Sequence, residues 1–127
     1  MTAPRWLRNA MLATAVMNAG AALLFLPAAS PLRALAGLPA DAPAVYLATV
    51  ALFVLLFGAG YLYVGVTGHA DPLFVGLSAA GKLSFVTLLV CFAVAGAVSW
   101  RAPLVAAGDV VFGVLFLWWL CYGPRPS

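Results

Sequence analysis

The chain has 127 residues, of which 66% are hydrophobic and only 7% are charged, and its mean hydropathy is +1.13. A soluble domain carries about 25% charged residues, so this composition argues against a water-exposed surface and predicts an integral membrane protein with the lipid bilayer as its partner. The net charge of +3 comes from scattered residues that form no basic stripe, which argues against nucleic acid as a partner.

The first apolar segment covers residues 7–26, follows Arg5 and is closed by Pro27 and Pro31. Its basic start and the small residues 28–30 also resemble a signal peptide. The two prolines flank those small residues and disfavour cleavage, so the sequence predicts a retained helix, with a cleaved signal peptide as the alternative.

The connection 28–43 is the longest between the apolar segments. Its leucines, spaced around Arg33, are compatible with a short amphipathic turn at the membrane surface, and its prolines are equally compatible with an irregular loop. The second segment, 44–67, starts directly after Pro43, as a helix-starting proline should.

A turn containing Gly68, Asp71 and Pro72 leads into the third segment, 73–99, and Pro103 opens the fourth, 103–122. Each segment has about the 20 apolar residues that a transmembrane helix needs, and the apolar runs are continuous rather than alternating. The sequence therefore predicts an all-α fold. We expect residues 1–127 to form one domain, a left-handed antiparallel four-helix transmembrane bundle with short loops.

Basic residues predict the orientation through the excess that cytoplasmic loops carry. One end of the bundle has Arg5, Arg8 and Arg125, and the other has Arg33 and Arg101 with Asp41. We therefore expect a multi-pass inner-membrane protein with both termini in the cytoplasm. Aromatic residues suit two interfacial belts, with Trp6, Tyr63, Phe74, Trp118, Trp119 and Tyr122 at one face and Tyr46 and Trp100 at the other.

Lys82 and Asp109 are the ionisable residues inside the third and fourth segments, and such residues are candidates for functional sites. Lys82 precedes Arg101 by 19 residues and Asp109 follows it by 8, so a hairpin turning at Arg101 would offset them by about 16 Å. A direct salt bridge is therefore not expected unless the helix kinks near Gly96 or water fills the gap. Lys82 then either extends to the cytoplasmic interface or faces a ligand in a pocket with Tyr61.

Asp109 has too short a side chain to reach the membrane surface. Counting from the turns places Asn18 and Thr49 at a similar depth, so the three predict one buried hydrogen-bonded cluster. That cluster is either a polar clamp between helices or an acid that anchors a ligand or handles protons.

No motif for catalysis, a metal or a cofactor is present in the sequence. The single histidine, His69, has no second ligand at metal-binding spacing, and Cys91 and Cys121 lie 30 residues apart and are expected to be small buried apolar residues. We therefore assign no catalytic residue, metal or cofactor. The candidate ligand-binding residues are Asp109, Asn18, Thr49, Lys82 and Tyr61.

The pair Gly81-Lys82 in the third segment, and Gly108-Asp109 followed by the aromatic stretch 116–120 in the fourth, resemble small bacterial four-helix membrane proteins of the DoxX-like group. The resemblance covers the whole chain and consists of its size, its number of predicted spans and its general apolar character. It implies a bacterial inner-membrane protein and carries over no catalytic residues.

Three functions are compatible with these observations. The favoured one is a non-enzymatic membrane protein that binds a lipophilic small molecule or serves as an accessory subunit of a membrane assembly, with a homo-oligomer or another membrane protein as a compatible partner. The second is a small oligomeric transporter or channel with Asp109 as its coupling group. The third is a membrane enzyme that acts on a lipid or a quinone.

Overall fold

The computed structural model describes residues 2–123, and this part of the chain is helical apart from its turns and a single bridge between Thr2 and His69. Six α-helices follow one another, with a short 3-10 helix at Pro27–Ala29 between the first two. They are α1 (Arg5–Leu24), α2 (Ser30–Leu35), α3 (Ala44–Thr67), α4 (Pro72–Val94), α5 (Arg101–Val105) and α6 (Ala107–Tyr122). The all-α prediction is confirmed.

Two of these helices, α3 and α4, are long and apolar enough to cross a membrane. The first helix qualifies only together with the segment Pro27–Leu35, from which it is separated by an 83° bend. Helix α6 has 16 residues, or about 24 Å of rise, less than the roughly 30 Å of a bilayer's hydrocarbon core. The structure thus gives two helices that are each long and apolar enough to cross a membrane.

The helix expected over 44–67 is α3, whereas the third and fourth segments are shorter than expected. Helix α4 stops at Val94 because Gly96 adopts a left-handed conformation (φ +80°) and the Ala97 N–H donates to the Phe92 carbonyl at 2.9 Å. The fourth segment is divided at Ala106 into α5 and α6. The chain therefore turns near Gly96, and Arg101 already lies in the returning arm.

One end of the molecule gathers the start of the chain and the turn between α3 and α4. The Ala3 N–H donates to the Gly68 carbonyl at 2.7 Å, and Asp71 caps α4 by accepting from the Leu73 N–H at 2.7 Å. Arg8 donates to the carbonyls of Gly65 (3.1 Å) and Val66, which are free because α3 ends there.

The helices pack as two antiparallel pairs, α1 with α3 and α4 with α6. Glycines permit both contacts. A Cβ atom added at Gly65 would lie 2.6 Å from Leu12 Cγ across the first pair, and one at Gly113 would lie 2.8 Å from Leu83 Cγ across the second. The short connections predict that α3 and α4, and likewise α4 and α6, pack as antiparallel neighbours. The pairing of α4 with α6 is confirmed, and that of α3 with α4 is wrong. Helices α3 and α4 make no backbone contact of similar extent along their described length.

Aromatic side chains join the two pairs at the end that holds the α3–α4 turn. The Tyr61 ring lies 5.6 Å from Phe74 and 5.9 Å from Phe116, measured between centroids. The core around them is formed by Leu7, Met11, Val64, Val75, Ala79 and Trp119. Beyond this core the pairs diverge, and a cavity lies between them.

Each of the four long helices α1, α3, α4 and α6 exposes large apolar side chains, which is compatible with a lipid-facing surface. Large side chains such as Leu52, Leu56 and Val94 are exposed. The expected interfacial aromatics Trp6, Tyr63, Trp118, Tyr122, Tyr46 and Trp100 are also exposed. Trp119 is instead buried, and Phe74 stacks on Phe57, so these two belong to the core rather than to a belt.

Candidate functional site

A cavity of about 760 Å³ lies between the two helix pairs and extends from Tyr61 and Ser78, beside the aromatic core, to Leu32 and Leu35 in α2. This volume lies within the roughly 300–1,000 Å³ of typical small-molecule pockets. All six helices contribute to its wall, which is mostly apolar and includes Met17, Ala21, Leu24, Phe53, Phe57, Phe85, Leu89 and Ala106. Its shape and lining suit a lipophilic molecule.

The cavity reaches the outer surface between the helices. Phe53 on α3 and Gly81 on α4 both line it and are exposed, and the same holds for Gly20 on α1 and Val105 on α5. A Cβ atom added at Gly20 or Gly81 would find no atom within 4 Å. These two glycines therefore border open space rather than a neighbouring helix.

Residues 25–38, which include much of the long connection, cover one end of the cavity. We call this segment the roof. Leu32, Leu35 and Leu38 line the cavity, and the Gly37 carbonyl accepts from the Ser99 N–H at 3.2 Å. Leu38 also packs on the buried residues Leu89, Ala102 and Ala106. The connection thus contains the short helix α2 packed over the bundle and is not an irregular loop, and a position at the membrane surface stays a prediction.

Arg33 fixes this roof from within, although the sequence presents it only as a topology signal. Its side chain is 2% exposed and donates to the carbonyls of Leu24 (3.2 Å), Leu26, Pro27 (3.3 Å) and Ala40 (2.9 Å). One of these carbonyls is on Leu24, the last residue of α1, and two are on Leu26 and Pro27 just after it, where helix geometry supplies no donors. Arg33 therefore closes the bend between α1 and α2.

Lys82 and Asp109 form a direct ion pair, and the expectation that they lie too far apart is wrong. Lys82 Nζ lies 2.8 Å from Asp109 Oδ1, and the two side chains are 6% and 17% exposed. Both line the cavity. A buried charge needs such a partner, because desolvation is costly without one.

The position of the turn explains the error. Gly113 packs against Leu83, and a Cβ atom added at Gly113 would lie 3.6 Å from the Ala79 carbonyl oxygen. Lys82 is therefore roughly level with Gly113. Asp109 is then about one helical turn, or roughly 6 Å, further along. A lysine side chain bridges that distance. The count from the sequence gives a larger offset because it places the turn at Arg101 instead of near Gly96.

The environment of the Lys82 ammonium group also excludes its extension to the interface. Lys82 lies at the midpoint of α4, ten residues after Pro72 and twelve before Val94. Nζ lies 5.1 Å from the centroid of the Tyr61 ring and 5.9 Å from that of Phe112. The predicted juxtaposition of Lys82 with Tyr61 is therefore present, as a cation–π contact.

The hydrogen-bonded cluster expected of Asp109, Asn18 and Thr49 is not formed, because each of the three bonds to a different partner. Asn18 is buried, lines the cavity and donates from Nδ2 to the Val54 carbonyl at 3.0 Å. Thr49 is exposed and donates to the Val45 carbonyl of its own helix at 2.7 Å, as helical threonines commonly do. Thr49 therefore lies outside the site, because the helix turns it to the outer surface.

Ser78 is a further polar residue of the cavity. It is buried one turn before Lys82 and donates to the Phe74 carbonyl at 2.7 Å, which leaves its oxygen able to accept. The spacing of four residues from Lys82 on one helix was the sequence signal for it. The roof residues carry no such signal, because their place depends on the bend after α1.

The remaining reactive side chains do not meet. Cys91 and Cys121 are free and exposed, so the expectation that they are buried is wrong. His69 is exposed in the α3–α4 turn. Within residues 2–123, no three His, Cys, Asp or Glu side chains are grouped to hold a metal ion.

Compared with protein-family models, with curated proteins and with solved structures, the chain matches none. The chemistry of the cavity is therefore the basis for a function. It offers an apolar volume, one charge-balanced pair and the polar groups of Asn18, Tyr61 and Ser78.

Proposed function

We propose that this protein is a multi-pass membrane protein that binds a lipophilic small molecule in the cavity, without catalysis. The observation that carries the proposal is the convergence of a large apolar cavity on the Lys82–Asp109 pair. Binding sites for small molecules characteristically combine an apolar lining with a few placed polar groups. Lys82, Asp109, Asn18 and Tyr61 are the proposed anchors, and Thr49 is not among them.

The proposal includes four spans in a bacterial inner membrane, as in the DoxX-like group that the sequence resembles. It is supported by the packing of α1 along α3 and of α6 along α4, since each membrane-capable helix has one apolar companion. The proposed orientation places Thr2, His69 and Gly123 on the cytoplasmic side. Arg125, which contributes to that orientation, lies outside the described residues.

Native mass spectrometry of protein extracted in mild detergent tests the binding, with Gly81→Leu as the decisive variant. Leucine at position 81 would enter the open space beside the cavity without striking another atom at Cβ. We expect at least a tenfold loss of the co-purifying lipophilic molecule. Ser84→Leu is the matched control, because Ser84 is exposed on the same helix and does not line the cavity.

Retention of the molecule in Ser84→Leu and its loss in Gly81→Leu would support the cavity as the site. If wild type carries no bound molecule, or if both variants keep it equally, the proposed function is wrong. Circular dichroism of each variant checks that the helical content is unchanged.

A further inference from the structure

The polar groups of the cavity are confined to its inner end, near the middle of the helices. Lys82 is at the midpoint of α4, and Ser78 and Tyr61 lie close to it. Toward the roof the lining is apolar, with Leu24, Leu89 and Leu38. A ligand would therefore place one polar group at the inner end and its apolar body toward the roof and the side openings.

The charges at the inner end already balance. Among the described residues that line the cavity, Lys82 and Asp109 are the only members with a formal charge, and they are 2.8 Å apart. The lysine is further stabilised by the faces of Tyr61 and Phe112. A charged ligand group would add a third charge without a counter-ion in a poorly hydrated site, which is strongly unfavourable.

Arg33, the other buried cation, does not change this balance. Its guanidinium group is engaged by four backbone carbonyls around the bend and is not part of the cavity lining. It therefore offers no counter-charge to a ligand at the inner end.

The hydrogen-bonding groups that remain suit an uncharged partner. The Ser78 hydroxyl donates to a backbone carbonyl and can still accept, and the Asn18 amide nitrogen is held by Val54 while its oxygen can accept. The Tyr61 hydroxyl can donate or accept. A hydroxyl or a carbonyl group on the ligand would find partners among these residues.

We infer that the ligand, if the proposed function holds, is an uncharged lipophilic molecule with a single hydroxyl or carbonyl head on a long apolar body. The depth of the polar end agrees with this class. A head group at the midpoint of α4 must pass through hydrocarbon in the proposed membrane, and that passage costs several kcal/mol for a charged group. An uncharged head avoids that cost.

Three probes with one alkyl chain test the inference, namely oleyl alcohol, oleate and oleylamine. Each is added to wild-type protein in lipid nanodiscs, and bound probe is measured by native mass spectrometry, with Gly81→Leu giving the background outside the cavity. We expect the alcohol to bind at least tenfold more tightly than either charged probe.

Equal or tighter binding of oleate or oleylamine to the wild-type cavity overturns the inference and leaves the proposed function standing. Failure of all three probes to exceed the Gly81→Leu background also overturns it. The proposed function is then decided separately by the co-purifying molecule, which needs no added probe.

Charge variants provide a second measurement. In Asp109→Asn the lysine is left without its carboxylate, so the preference should move at least tenfold toward oleate. In Lys82→Met the carboxylate remains, so it should move toward oleylamine. Asp41→Asn is the control, because Asp41 is exposed at the roof end and outside the cavity. A folded charge variant that binds the three probes in the same order of affinity as wild type contradicts the inference. If a variant does not fold, the comparison of the three probes on wild type decides.

Discussion

Lys82 and Asp109 lose most of their hydration inside an apolar protein and form an ion pair with each other instead. Asp109 lies in the first turn of α6, where the helix dipole favours a negative charge, and Lys82 is covered by aromatic rings. The pair is thus a local solution to two buried charges. The pair contributes to stability only when both residues are present, because each charge offsets the desolvation cost of burying the other.

We expect single substitutions to destabilise the protein more than a double substitution. Lys82→Met or Asp109→Leu should each lower the free energy of unfolding by about 3–5 kcal/mol, because one buried charge loses its partner. The double variant should lie much closer to wild type. Reversible unfolding in mixed micelles measures the cycle, and additive effects of the two substitutions would show that the pair is not coupled.

Arg33 should be as important for stability as a core residue. Arg33→Met leaves the carbonyls of Leu24, Leu26, Pro27 and Ala40 without their donor, and we expect a loss of about 3 kcal/mol. Arg101→Met is the control at the same end, because Arg101 is exposed and, within residues 2–123, its guanidinium group hydrogen-bonds only to Ser99. Thermal unfolding of the two variants in detergent compares them, and equal midpoints would contradict this role.

Helix positions follow from the sequence more directly than contacts between helices do. The prolines and glycines around 44–67 mark both ends of α3, because they limit backbone conformation locally. The Lys82–Asp109 contact depends instead on where the hairpin turns, and an error of a few residues there moves one helix past the other by several ångströms. The roof depends on Arg33 meeting carbonyls that only the folded bend assembles.

The two helix pairs rely on glycine at their contacts, which a pair of alanine variants can test. Gly65→Ala places a Cβ 2.6 Å from Leu12 Cγ and 3.3 Å from the Arg8 carbonyl oxygen, so we expect a loss of about 1–3 kcal/mol. Gly20→Ala meets no atom within 4 Å and should be neutral or stabilising by up to about 1 kcal/mol. Unfolding in detergent distinguishes them, and equal effects would mean that α1 and α3 do not pack this closely.

The molecule as described has two different ends. At one end the aromatic core joins the helix pairs and the chain start is bonded to Gly68. At the other end the pairs separate and the roof and α5 cover the space between them. A bundle of this shape holds its cavity between the aromatic core and the roof.

Labelling of introduced cysteines tests the proposed orientation. Cys91 and Cys121 are exposed, so a background with Cys91→Ala and Cys121→Ala is needed first. In intact bacterial cells, a membrane-impermeant maleimide should label Asp41→Cys and Arg101→Cys but not His69→Cys. All three positions are exposed, so access to water on each side decides the outcome. The opposite pattern would reverse the orientation, and equal labelling would argue against a spanning bundle.

The closed bend at Arg33 has a consequence for how a ligand arrives. Lifting the roof would part Arg33 from the carbonyls of Leu24 and Ala40, which lie outside residues 25–38. Openings beside the exposed lining residues Phe53, Gly81, Gly20 and Val105 need no such rupture. In the proposed membrane, a ligand would then enter and leave the cavity laterally, directly from the lipid bilayer. Occupancy would follow the mole fraction of the ligand among the lipids, and a compound nearly absent from water would still saturate the protein.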